Sequence, residues 1–204
     1  MKHVAYEYAR RGARLVLVAR REDRLQAVAD KARQIGSLEV FVVAADVSKV
    51  EDCKRFVEEA VNHFGQLDHL VNNSGVALID LFEKVTRFSD FTSIMASKAA
   101  LISFFETLRT EFDPDIGITI VTPRLIESEM TKGEILSQYA WVPIEATEVC
   151  AKAIMDSACS GDMYLTEPSS VKVWCWIKIL CPEVFEWRAH SMYVNRPCTS
   201  KKNS

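Results

Sequence analysis

The feature that most limits what this chain can fold into is a rhythm. Short apolar runs without alternation trade places with stretches whose apolar residues recur at helical spacing, and glycines mark the joints. Val4, Ala5, Tyr8 and Ala9 fall on one face of a helix, and Gly12 stands where a left-handed turn would end it. Leu15–Ala19 is the first apolar run. Leu25, Val28, Ala29 and Ala32 form the next stripe, stopped by Gly36, and Val40–Ala44 is the second run. Cys53, Phe56, Val57, Ala60, Val61 and Phe64 give a third stripe closed by Gly65, and Leu67–Val71 a third run. An apolar run that does not alternate predicts a strand buried on both faces. Strand and helix in strict alternation predict parallel βαβ units, with helices on both sides of one sheet.

The rhythm then breaks. A βαβ unit takes roughly 30 residues or more, yet between Val71 and the helix expected from Ser97 no apolar run suits a strand. That stretch holds only a helix-like piece around Leu81 to Met95. Ala100, Leu101, Phe104, Phe105, Leu108 and Phe112 line the apolar face of the following helix. Either two helices join directly here or a strand is missing. Gly117–Pro123 resumes as a strand, a helix through Val149, Ala153 and Ile154 follows, and Met163–Thr166 is the last strand expected.

Composition narrows the function classes. The 204 residues, 49% hydrophobic, suffice for one domain with a core and not for two. Twenty-five basic against 28 acidic side chains leave a net charge of −3, which argues against nucleic acid as a partner. The six cysteines form no Cys-x-x-Cys pair and the histidines lack zinc-ligand spacing, so neither a disulfide framework nor a metal site is expected. Reduced cysteines facing a cytosol are the ordinary expectation. Met1–Tyr8 has no apolar core of a secretory signal, and no run of ~18 apolar residues predicts a membrane-spanning helix.

Four local sequences carry chemistry. Arg20 and Arg21 follow the run Leu17-Val18-Ala19; the planar guanidinium fork suits a phosphate, while a solvated basic pair at a strand end is the bland alternative. Ala45-Asp46-Val47-Ser48 follows the second run; an acceptor carboxylate there competes with a helix-capping role, in which Ser48 caps and Glu51 completes a capping box. Leu70-Val71-Asn72-Asn73-Ser74-Gly75 is by itself an ordinary turn, but it follows an apolar run at the edge where doubly wound sheets bind ligands. Ser97-Lys98-Ala99-Ala100-Leu101 opens a helix, and Lys98 is there either a functional ammonium or an exposed residue of a first turn.

Together, over about Val4 to Thr166, these four resemble the short-chain dehydrogenase/reductases, and the fold implied is α/β, a Rossmann-like doubly wound parallel sheet. The text of the first twenty residues and of Phe82 to Phe112 resembles the plant hydroxysteroid dehydrogenases similar to 11β-hydroxysteroid dehydrogenase, including the sterol-binding oil-body steroleosins. The resemblance implies NADP(H) as cofactor and a steroid or other small hydrophobic alcohol or ketone as substrate. It makes Arg20 and Arg21 readers of the ribose 2′-phosphate and Asp46 an acceptor from the adenine amino group, and makes Val47, Asn73 and Lys98 cofactor-binding. In an active member the lysine binds the nicotinamide ribose and lowers the pKa of a tyrosine four residues before it.

Three departures bear on activity. Position 94 is Ile94, which moves no proton, and no serine falls on a preceding strand; Ser89 and Ser93 lie in the helix-like piece and Ser97 beside the lysine. No glycine precedes Gly12, so the family's glycine-rich phosphate cradle is expected to be absent. Pro123-Arg124 stands where the family has Pro-Gly, and a long cation would crowd the nicotinamide. The expectation is an incomplete domain, lacking the first and fifth family strands. Lys98 remains from its catalytic set, and unpaired strands leave its stability marginal or rescued by unusual strand pairing. It is therefore read either as an impaired NADP(H)-dependent oxidoreductase or as a non-catalytic splice form or remnant.

Residues 1–168 are expected to form this domain, 169–197 an aromatic helical segment and 198–204 a polar, disordered tail. Val171–Cys181 combines tryptophans with two lysines, a composition that suits a helix lying on a membrane or oil surface. Packing on the domain or on a twin subunit is the alternative. Partners expected are a homo- or heterodimer with a full-length relative, and a lipid-droplet or endoplasmic reticulum surface on the cytoplasmic side.

Overall fold

The computed structural model describes residues 2–73, 88–112, 116–123, 126, 145–167 and 172–194. The elements run α1 (Lys2–Arg10), β1 (Arg14–Ala19), α2 (Glu22–Ile35), β2 (Glu39–Ala44), α3 (Val50–Phe64), α4 (Phe88–Glu111), β3 (Ile120–Pro123), α5 (Thr147–Ser160), β4 (Tyr164–Glu167), α6 (Lys172–Leu180) and α7 (Pro182–Val194). The class is α/β with parallel strands, as the rhythm demands.

β1 and β2 pair in parallel from Arg14 opposite Glu39 to Ala19 opposite Ala44. β3 and β4 pair in parallel from Ile120 opposite Tyr164 to Pro123 opposite Glu167. Among the described residues these are two separate two-stranded sheets. Both pairs join strands that are consecutive among those described, so no unusual pairing closes the expected gap there. The core lies between α1, α2 and the first pair, where Ala9, Leu15, Ala29, Ala32 and Val40 are buried against one another. Small alanines let the two helices approach the sheet closely. α1 also packs on α5, where Val4, Ala151 and Met155 are buried, and Arg11 pairs with Asp156 across that contact.

Several expectations are corrected. Leu67–Val71 is not a strand; with no described strand beside it there is no ladder to join, and Leu67, Leu70 and Val71 are 44%, 63% and 45% exposed. β1 and β2 are not buried on both faces, since Val16, Leu17 and Val18 are only half-buried. The α3 stripe buries Ala60 alone; Val57 and Val61 are exposed. Polar ties hold α3 to β2 instead. His63 Nε2 lies 2.7 Å from Glu39 Oε1 and its ring stacks on Phe41, while Arg55 donates to the Ala44 carbonyl at 3.0 Å. No join interrupts the helix before Ser97, because α4 runs unbroken from Phe88; residues 81–87 lie outside the described residues. β3 begins at Ile120 rather than Gly117, and β4 is displaced by one residue to Tyr164–Glu167.

Candidate nucleotide site at the carboxyl edge of the first strand pair

Because β1 and β2 are parallel and in register, the residues that leave them emerge side by side. The Ala45 amide donates to the Ala19 carbonyl at 3.1 Å, extending the ladder by one bond and bringing Arg20 next to Asp46. Arg21 takes an extended backbone, φ −102° and ψ 96°, and caps α2 without a side-chain hydrogen bond. The side chains of Arg20 and Arg21 are exposed and so available to an anion.

Asp46 is held by its own loop. Its Oδ1 accepts from the Ser48 amide at 3.1 Å and the Ser48 hydroxyl at 2.8 Å, and its amide donates to Asp52 Oδ2 at 2.8 Å. Asp52 Oδ1 in turn accepts from Arg55 at 3.4 Å. The Ser48 amide and hydroxyl hold the Asp46 carboxyl below its ordinary range, with smaller help from the charges of Arg20 and Lys49. The Asp46 amide and Arg55 do the same for Asp52. The expected cap is thereby corrected. Lys49, not Ser48, is the N-cap of α3, because Asp46 has taken the Ser48 hydroxyl. Val47 is 44% exposed beside this loop, and its carbonyl lies 3.4 Å from the Cys53 thiol. Asp52 and Arg55 were not singled out from sequence; the signal was an acid in the first turn of α3 with a base three residues on.

The other candidates lie elsewhere. Asn73 is exposed at the end of the unpaired segment after α3, and Ser74 and Gly75 lie outside the described residues. A hydrogen bond of 2.9 Å between Tyr8 Oη and His69 Nδ1 ties that segment to α1. Lys98 is exposed in the interior of α4, not in its first turn. Among the described residues no hydrogen bond or ion pair joins Lys98 to Asn73 or to the Arg20–Asp46 pair. Ile94 is in the same helix one turn earlier, and Arg124 lies outside the described residues. Arg20, Arg21 and Asp46 are thus brought together, and among the described residues Asn73 and Lys98 are not joined to them.

A parallel strand pair with a basic residue and an anchored carboxylate at its carboxyl edge is the arrangement of a doubly wound nucleotide-binding protein. Residues 2–95 match the sequence profile described as short chain dehydrogenase, and the chain belongs to that oxidoreductase family. Among its relatives are plant proteins. The chain is 42% identical to 11-beta-hydroxysteroid dehydrogenase A of Sesamum indicum over 258 residues, covering 98% of this chain and 74% of that one. With 258 aligned positions and 204 residues here, at least 54 positions of the relative have no counterpart in this chain. The fold is also that of solved structures. The short-chain dehydrogenase/reductase of Serratia marcescens superposes with a TM-score of 0.69 at 21% identity, over 81% of this chain and 90% of that one. L-sorbose reductase of Gluconobacter frateurii, solved with NADPH and L-sorbose, gives 0.60 at 22%, over 76% and 83%.

Proposed function

We propose that this chain is an NADP(H)-binding member of the hydroxysteroid dehydrogenase type whose own catalysis is impaired. The observation that carries the cofactor reading is Arg20 beside the anchored carboxylate of Asp46. In this reading Arg20 and Arg21 donate to the ribose 2′-phosphate. Asp46, with one oxygen engaged by Ser48, offers the other to the adenine amino group beside Val47, and Asn73 and Lys98 serve the nicotinamide side. NADP(H), when bound, supplies or accepts a hydride at a steroid or other small hydrophobic alcohol or ketone. The matching proton must come from the protein, and Ile94 holds the place of the phenol that would move it. Loss of positioned acid–base catalysis alone costs ~10²- to 10⁴-fold in rate. Residues 1–168 are read as this domain and 169–197 as an appended helical segment.

Titration with NADPH and NADH, followed by melting temperature, tests the first half. NADPH is expected to stabilise the chain more than NADH, and Arg20→Ala to lower NADPH affinity by roughly 10- to 100-fold while sparing NADH. Steroid turnover tests the second. None is expected above buffer, and a robust rate abolished by Lys98→Ala would overturn the impairment.

A second reading, a non-catalytic form that binds a full-length relative or a lipid surface, is favoured by exposed apolar side chains. On α4, Leu101 and Phe104 are 44% and 56% exposed, and Phe112 just after it is 42% exposed, apolar surface open to a homologous subunit. A lipid surface, such as a droplet or endoplasmic reticulum membrane, is the other partner of this reading.

A further inference from the structure

We infer that α6 and α7 together form an in-plane contact element for an anionic phospholipid surface. This rests on the lipid-associated reading above and names the part of the chain that carries it. Among the described residues the two helices pack chiefly on each other. Facing outward are Val173, Trp176, Ile179, Leu180, Val184 and Trp187, at 61%, 63%, 70%, 72%, 54% and 70% exposure. A helix as short as Lys172–Leu180 is marginal alone in water. Large apolar groups clustered on two adjoining helices mark a surface that meets something apolar.

Length and charge select the partner. At ~1.5 Å per residue α6 is far shorter than the ~30 Å hydrocarbon core, and no described helix is long and apolar enough to cross a membrane, so the element lies flat. Residues 169–204 carry six bases (Lys172, Lys178, Arg188, Arg196, Lys201, Lys202) and two acids (Glu183, Glu186), a net of +4 in a chain of net −3, which leaves −7 on residues 1–168. A partner that is negative at its surface and apolar beneath matches a segment that combines a basic excess with exposed tryptophans, with the indoles at headgroup depth and the lysine stems reaching outward.

The full chain is floated with vesicles of phosphatidylcholine, with and without phosphatidylserine, in the absence of nucleotide. Binding to the serine-containing vesicles is expected, with a blue shift of tryptophan emission and roughly tenfold weaker binding at ~1 M salt. Trp176→Ser with Trp187→Ser should lose at least ~10-fold in partitioning, and Lys178→Glu roughly fivefold or more. Both changes are at exposed positions, so the melting curve should match the parent's and report an intact fold. No flotation with any vesicle rejects the lipid-associated reading and this inference together. Flotation that survives the tryptophan changes leaves that reading standing and overturns the element named here. A dimer that the tryptophan changes dissolve, without vesicle binding, assigns the face to a second copy and overturns it as well.

Discussion

Asp46 owes its charge to local geometry. The backbone turns so that the Ser48 amide and hydroxyl both point at one carboxylate oxygen, and Arg20 and Lys49 add positive potential. Asp52 is held the same way by the Asp46 amide and by Arg55. Both carboxyls titrate below 3.8 in the folded chain. A depressed pKa contributes stability that is present above the unfolded value and lost as pH falls through the folded one. The melting temperature should therefore fall as pH drops below 3.8, through the depressed values. Asp46→Asn with Asp52→Asn should lower it at neutral pH and flatten that acid limb. An unchanged acid limb in the double variant would show that Ser48 and Arg55 do not hold these charges. The Cys150 thiol behaves oppositely. Burial pushes the Cys150 thiol up to about 11, so its neutral form supports the fold below the ordinary 9.0 and that support is lost as pH rises toward 11. Cys150 is 1% exposed while Cys159 and Cys181 are exposed. A thiol reagent near pH 8 should label the latter two on the folded chain and Cys150 only after unfolding. Labelling of Cys150 at the same rate would place it at the surface.

At the scale of elements, the joint after α2 is the tightest. Gly36 has φ 126°, and a Cβ there would meet the Ala9 carbonyl at 3.2 Å, whereas Gly65, at φ 81°, has open space around it. Gly36→Ala should destabilise by ~1–3 kcal/mol and Gly65→Ala by ~1 kcal/mol, read from denaturant midpoints. Equal costs would mean that the contact with α1 is not felt. The elements that sequence foretold are those whose causes are local. Apolar spacing and terminal glycines placed α1, β1, α2, β2 and α3 within a few residues. Leu67–Val71 was misread because strand formation needs a neighbour, and apolar residues do not announce whether one exists. Ser48 was misread because its hydroxyl can either accept from a helix amide or donate to Asp46, and only geometry decides between the two. The site divided along the same line. Arg20 and Asp46 meet because consecutive parallel strands end side by side, which the motif order implies. Lys98 and Asn73 depend on a crossover that the sequence itself showed to be irregular.

For the whole molecule the question is whether two strand pairs amount to one cooperative unit. Among the described residues they are joined chiefly by α1 lying on α5, with Val4, Cys150, Ala151 and Met155 buried on these helices and Arg11 paired with Asp156. The central cluster of the first pair has five buried residues, three of them alanines, so the apolar area removed from water is small. Natural domains have ~5–15 kcal/mol in hand, and so few buried large side chains among the described residues put the stability at the low end of that range. Met155, 2% exposed, is the largest apolar side chain buried in the joining contact. Met155→Ala should cost ~2–5 kcal/mol, enough to abolish a cooperative transition, whereas Met155→Leu, at under ~1.5 kcal/mol, should keep one. The parent should melt at or below the ~45–65 °C common to mesophilic domains. Circular dichroism through a thermal ramp checks all three. A sharp parent transition above that range, or a Met155→Ala chain that melts as cooperatively as its parent, would show that the two pairs are held together by more than the α1–α5 contact.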